Sequence, residues 1–143
     1  MGYLFDTDAI SEVLKPRPSP RYVEWLATVP RAVQYCSAVS IGELFRGAFR
    51  SPGRERHLRN VDTRVLPAVT VLPYDTGSAR EYGRIAAVLE RQGRRLADAD
   101  LQIAATALQH GLRLVTGNVR HFERIPGLEI ERILAEERPR PGR

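Results

Sequence analysis

Cysteine, lysine and tryptophan each occur once, at Cys36, Lys15 and Trp25. A lone cysteine excludes an intramolecular disulfide, and its place in an apolar run reads as a buried thiol in a reducing compartment. No apolar stretch approaches the length of a membrane span, and Met1-Gly2-Tyr3 leads into Leu4-Phe5-Asp6 without a basic segment before an apolar one. Neither a membrane protein nor a secreted one is expected, and the expected location is the cytoplasm. Histidine is also scarce. His57, His110 and His121 are dispersed, without metal-ligand spacing, and read as surface or helix-end residues.

What is present is one domain's worth of core, 143 residues of which 43% are hydrophobic, enough for three layers but not for two separate cores. Lys and Arg number 22 against 17 Asp and Glu, and every one of the 22 except Lys15 is arginine. That balance fits either an arginine-biased solvated surface or a polyanion partner. The run Arg46, Arg50, Arg54, Arg56, Arg59 and Arg64 is dense enough for a phosphate-tracking face, or for pairing with a partner protein's acids.

Strand-like and helix-like segments alternate along the chain. Tyr3 to Phe5 reads as a short buried strand and Asp6-Thr7-Asp8 as the start of a helix that Pro16, Pro18 and Pro20 stop. A helix from Arg21 to Thr28 and a strand from Val33 to Ser37 follow. Ser40-Ile41-Gly42-Glu43 opens a third helix, broken at Ser51-Pro52-Gly53, and a fourth runs from Arg54 to Leu66. Val69 to Leu72 reads as a strand and Thr76 to Gln92 as an amphipathic helix. In LADADLQIAATALQHGLRLVTGN, Leu96 to Asn118, a helix begins at Asp98 or Asp100 and ends at Gly111, and Leu112 to Val115 run into a strand that stops at Thr116-Gly117-Asn118. A last strand is expected from Leu128 to Ile133, and a disordered tail from 136 to 143. This alternation predicts an α/β fold, a three-layer α/β/α sandwich around a central parallel sheet.

Ligands in such sheets bind beyond the carboxyl ends of the strands, at the point where strand order reverses. Asp6, Glu43, Asp98, Asp100 and Asn118 all fall near that edge. Each acid alone also reads as a helix cap: Asp6 or Asp8 as N-cap, Ser40 and Glu43 as a capping box, Asp98 as the cap of the helix that Asp100 enters. Together they read as a site for a hard cation, because clustered carboxylates repel one another unless a cation neutralises them, and oxygen donors select Mg²⁺ or Mn²⁺. The chemistry such a site supports is hydrolytic phosphoryl transfer. Thr7, Ser11, Ser40 and Thr116 stand beside the acids and can orient them.

The pieces LFDTDAISE, SAVSIGELFRGA and DADLQIAATALQHGLRLVTGNVRHFERIPGL resemble the PIN-domain ribonucleases of the VapC toxin type, over about residues 3 to 133. The resemblance implies a PIN domain over residues 1–135, a Mg²⁺- or Mn²⁺-dependent endoribonuclease, a homodimer, and inhibition by a small VapB-like antitoxin. It places the family's acids on Asp6, Glu43 and Asp100, with Asp98 as an extra acid sharing the metal or its water. The fourth position, an aspartate in many PIN domains, is Asn118, a neutral acceptor that favours one tightly held ion over two. Two other readings are carried forward: a PIN-fold RNA- or protein-binding module without activity, and a haloacid-dehalogenase-type phosphatase with Asp6 as nucleophile. The phosphatase needs a downstream lysine, for which only Lys15 is available.

Overall fold

The computed structural model describes residues 1–138. Five strands, β1 (Tyr3–Phe5), β2 (Gln34–Ser37), β3 (Thr70–Leu72), β4 (Arg113–Val115) and β5 (Ile130–Glu131), form one sheet. Eight α-helices among the described residues connect and flank them: α1 (Thr7–Leu14), α2 (Pro20–Thr28), α3 (Ala38–Arg50), α4 (Arg54–Asn60), α5 (Thr76–Arg91), α6 (Asp98–His110), α7 (Val119–Phe122) and α8 (Ile133–Glu136). All strand pairs are parallel, in the order β3-β2-β1-β4-β5. The chain therefore builds outward from β1 in one direction, then returns to place β4 on the other side of β1. The crevice at that reversal lies between the carboxyl ends of β1 and β4.

Successive strand residues point to opposite faces, so each central strand feeds two cores. Leu4 and Leu114 pack with Ile85, Leu89, Leu101 and Ile103 under α5 and α6. Phe5 and Val115 pack with Ile10, Tyr22, Cys36 and Ile41 beneath α1 to α3. This is the expected three-layer sandwich. Trp25, which reads from sequence as either core or interface, stacks edge-on against Tyr3 at 5.3 Å beside the second core. Cys36 is fully buried, and burial pushes its thiol up to about 12. No helix of the described residues is long and apolar enough to cross a membrane.

Several local expectations are corrected. Helix α3 starts at Ala38, not at Ser40: Ser37 is the N-cap and accepts from Val39 N–H, so the Ser40–Glu43 capping box does not form. The fourth helix ends at Asn60 and continues as a π turn, Val61–Val65, and a 3₁₀ turn, Leu66–Ala68. Pro67 explains the change of winding, since it has no N–H with which to continue an α-helical ladder. Residues 128 to 133 give only a two-residue strand before α8 begins. Of the tail expected from 136 onward, Glu137 pairs with Arg21 at 2.9 Å and Arg138 reaches back to α1. Residues 139–143 lie outside the described part.

Candidate active site and metal centre

A small cavity of about 150 Å³ opens at the β1/β4 crevice, lined by Asp6, Thr7, Asp8, Glu43, Asp100, Ile103, Asn118 and Phe122. The sheet delivers two of these directly. Asp6 follows the last residue of β1, and its N–H donates to the carbonyl of Val115 at 3.1 Å, stitching it to the end of β4. Asn118 stands three residues beyond β4, after Thr116, whose hydroxyl accepts the Asn118 N–H. Asp100 enters from the first turn of α6 and Glu43 from α3.

The capping and ligand readings of Asp6 are both realised. One carboxylate oxygen accepts the Ala9 N–H at 2.7 Å as the N-cap of α1, while the residue remains in the cavity wall. Burial pushes the Asp6 carboxyl up to about 7, aided by the charges of Asp8 and Asp100 and opposed by hydrogen bonds from Thr116 and Ala9. Asp100 is also raised, by burial first and then by the charge of Glu43, against the pull of His121. Thr7 holds Glu43, donating its hydroxyl to Oε1 at 2.6 Å.

The remaining acids separate cleanly. Asp98, at the opposite side of the α6 first turn, accepts from the Tyr82 hydroxyl at 2.9 Å and is not in the cavity wall. Asp8 is in the wall but is bound by Arg138 through both oxygens. His121, which reads from sequence as a surface residue, stands with Nδ1 2.9 Å from the Asn118 amide nitrogen and 3.6 Å from Oδ2 of Asp100. With its ring proton on Nε2, that nitrogen accepts from the amide. The signal was in the spacing, since a helix starting after Asn118 returns His121 to the same side one turn later.

Asp6, Glu43 and Asp100 have no arginine or lysine partner among the described residues. Nor are any three His, Cys, Asp or Glu of the described residues already drawn to ligand spacing. The acids line one cavity without closing on a single point. A buried carboxylate raised by desolvation and by like-charged neighbours is stabilised by a cation, and an all-oxygen donor set fits a hard divalent ion. The phosphatase reading finds no such support: Asp8 is engaged by Arg138, and Lys15 pairs with Glu12 at 3.0 Å.

The model of the PIN domain family matches residues 3–128. The chain is 35% identical over 133 residues to "Ribonuclease VapC2" of Haemophilus influenzae, covering 92% of this chain and 97% of that one. It is 34% identical to the "tRNA(fMet)-specific endonuclease VapC" of Salmonella typhimurium, with 92% and 97% covered. Among solved structures, "DNA bound VapBC from Salmonella typhimurium" superposes with a TM-score of 0.85 at 34% identity, covering 92% of this chain and 98% of that one. The chain belongs to the PIN-domain family, within its VapC toxin branch.

Proposed function

We propose that the protein is a divalent-metal-dependent endoribonuclease, the toxin half of a module completed by a VapB-like antitoxin. One observation carries the reading: Asp6, Glu43 and Asp100, all without an arginine or lysine partner among the described residues, share one cavity at the β1/β4 crevice, and Asp6 is buried there at a cost in charge. The ribonuclease names of relatives at 34–35% identity support RNA as substrate, and the VapBC assembly of a solved relative supports the antitoxin. A homodimer belongs to the same reading, and sedimentation would check it.

Asp6, Asp100 and Glu43 would hold Mg²⁺ or Mn²⁺, Glu43 through water, while Asp98, tied to Tyr82 outside the cavity wall, would not. Bound there, the ion supplies a Lewis acid that acidifies water and neutralises phosphate charge. The protein's own residues do the rest. Thr7 fixes the Glu43 carboxylate, Thr116 and the Ala9 N–H fix Asp6, and the Asn118 amide offers a neutral donor or acceptor to a water or phosphate oxygen. His121, beside both the Asn118 amide and the Asp100 carboxylate, orients the two. Asn118 adds no charge, which favours a single ion.

The direct test is cleavage of structured RNAs by the purified protein with Mg²⁺, beside Asp6→Asn and Asp100→Asn. Both variants are expected to lose cleavage, and undiminished activity in both would overturn the assignment. Calorimetry separates an inert binding module, which would take up no Mg²⁺ or Mn²⁺ at millimolar concentration.

A further inference from the structure

Four carboxylates line the cavity, but the chain's C-terminal segment takes one of them out of use. Arg138 donates from Nη1 and Nη2 to the two oxygens of Asp8, and from Nη2 to Oε1 of Glu12 at 3.0 Å. Glu12 is an anchor for the guanidinium. It is only 5% exposed, and it is itself held by Lys15 and by the Ser19 N–H. The segment that delivers Arg138 is fixed at two further points, Leu134 fully buried in the second core and Glu137 paired with Arg21.

The backbone leaves room for this contact. A Cβ on Gly117 would meet the guanidinium and come within 2.8 Å of Asp8 Oδ2, so with glycine at 117 neither side chain has to shift for the pair to form. Arg138 also lies beyond the residues 3–128 matched by the family model.

We propose that Arg138 is a positioning residue that withdraws Asp8 from the cation site, so that an ion meets three carboxylates and binds only as tightly as three allow. This rests on the metal-dependent reading above. Planar, two-point pairing holds a carboxylate's orientation as well as its charge. Without it, Asp8 would turn back into a cavity it already lines and add a full negative charge within a few ångströms of the ion.

The test is Mn²⁺ binding, read by the EPR signal of free Mn²⁺ at fixed pH and ionic strength, with circular dichroism to confirm folding. Wild type is expected to bind one equivalent. Arg138→Gln is expected to bind Mn²⁺ more tightly, by about five- to tenfold, a direction that mere structural damage would not give. Arg138→Lys should stay near wild type, Asp8→Asn should stay within about twofold, and Asp8→Asn with Arg138→Gln should return to the wild-type value. Unchanged or weaker binding in folded Arg138→Gln overturns the proposal, as does tightening that survives in the double variant. Asp8→Asn tests it independently, since a loss as deep as that of Asp6→Asn would make Asp8 a ligand. A wild-type chain that binds no Mn²⁺ overturns the metal-dependent reading itself, whereas wild-type binding with no tightening overturns only this inference.

Discussion

The molecule carries the pattern Asp-x-Asp twice at a helix start, at Asp6-Thr7-Asp8 and at Asp98-Ala99-Asp100, and uses the two in opposite senses. In the first, the leading aspartate is the buried cavity residue and the trailing one is tied to Arg138. In the second, the trailing aspartate enters the cavity and the leading one is tied to Tyr82. Residues two apart on a helix lie about 200° around the axis from each other, so one helix start cannot aim both carboxylates at one point. Which member is used depends on how the helix meets the sheet. Asp6 is the N-cap directly after a central strand, whereas Asp98 is the first helical residue after a loop and Asp100 the third. In both pairs the unused carboxylate is given a donor from its own chain.

The largest expected effect is on cleavage. Asp6→Asn and Asp100→Asn should each lower the single-turnover rate on RNA by at least about 100-fold, while Asp98→Asn stays within about tenfold, the range for an outer-shell residue. An Asp98→Asn loss equal to that of Asp100→Asn would break the comparison.

The second prediction concerns pH. Because the folded state raises Asp6 to about 7, it holds a proton that the unfolded chain has already released, so stability falls as pH rises from about 4 to about 7. The loss is at most about 4 kcal/mol, and Asp100 adds a smaller slope of the same sign. Urea unfolding at pH 5 and pH 8 without divalent ions should show it, and Asp6→Asn, which keeps an oxygen for the Ala9 cap, should flatten it. A slope of equal size in Asp6→Asn would assign the effect elsewhere.

Third, millimolar Mn²⁺ at pH 8 should raise the melting temperature of wild type by mass action, and that of Asp6→Asn by much less. The smallest effect is at Tyr82→Phe, which removes the partner of Asp98 at an exposed site. It should cost under about 1 kcal/mol by thermal denaturation, with little change in cleavage. A large loss of cleavage there would mean that Asp98 matters more to the site than its position suggests.

Much of this was legible in the residues. Strand cores such as Leu4-Phe5 and Leu114-Val115 announce themselves as short apolar runs bounded by polar ones, and Gly111, at φ 63°, closes α6 where a left-handed residue was needed. Asp6 and Glu43 were legible by type and by following β1 and β2, and Asp100 by the resemblance of its stretch to the PIN-domain pattern. What was not legible depends on distant contacts. Ser40 satisfies the capping-box spacing, yet the helix starts two residues earlier because Ser37 at the end of β2 already caps it. Arg138 and Asp8 are at opposite ends of the chain, and His121 meets Asp100 only once α6 and α7 are docked. The choice between Asp98 and Asp100 turned on rotation about a helix axis, which spacing alone leaves open until the direction of the sheet is known.

The central position of β1, paired with both β2 and β4, has a consequence for how the protein is made. Its first neighbour emerges from the ribosome early and its second only after α6, so the crevice that gathers Asp6 with Asp100 and Asn118 does not exist until most of the chain has been translated. Its acids are therefore brought to one edge only when synthesis is nearly complete.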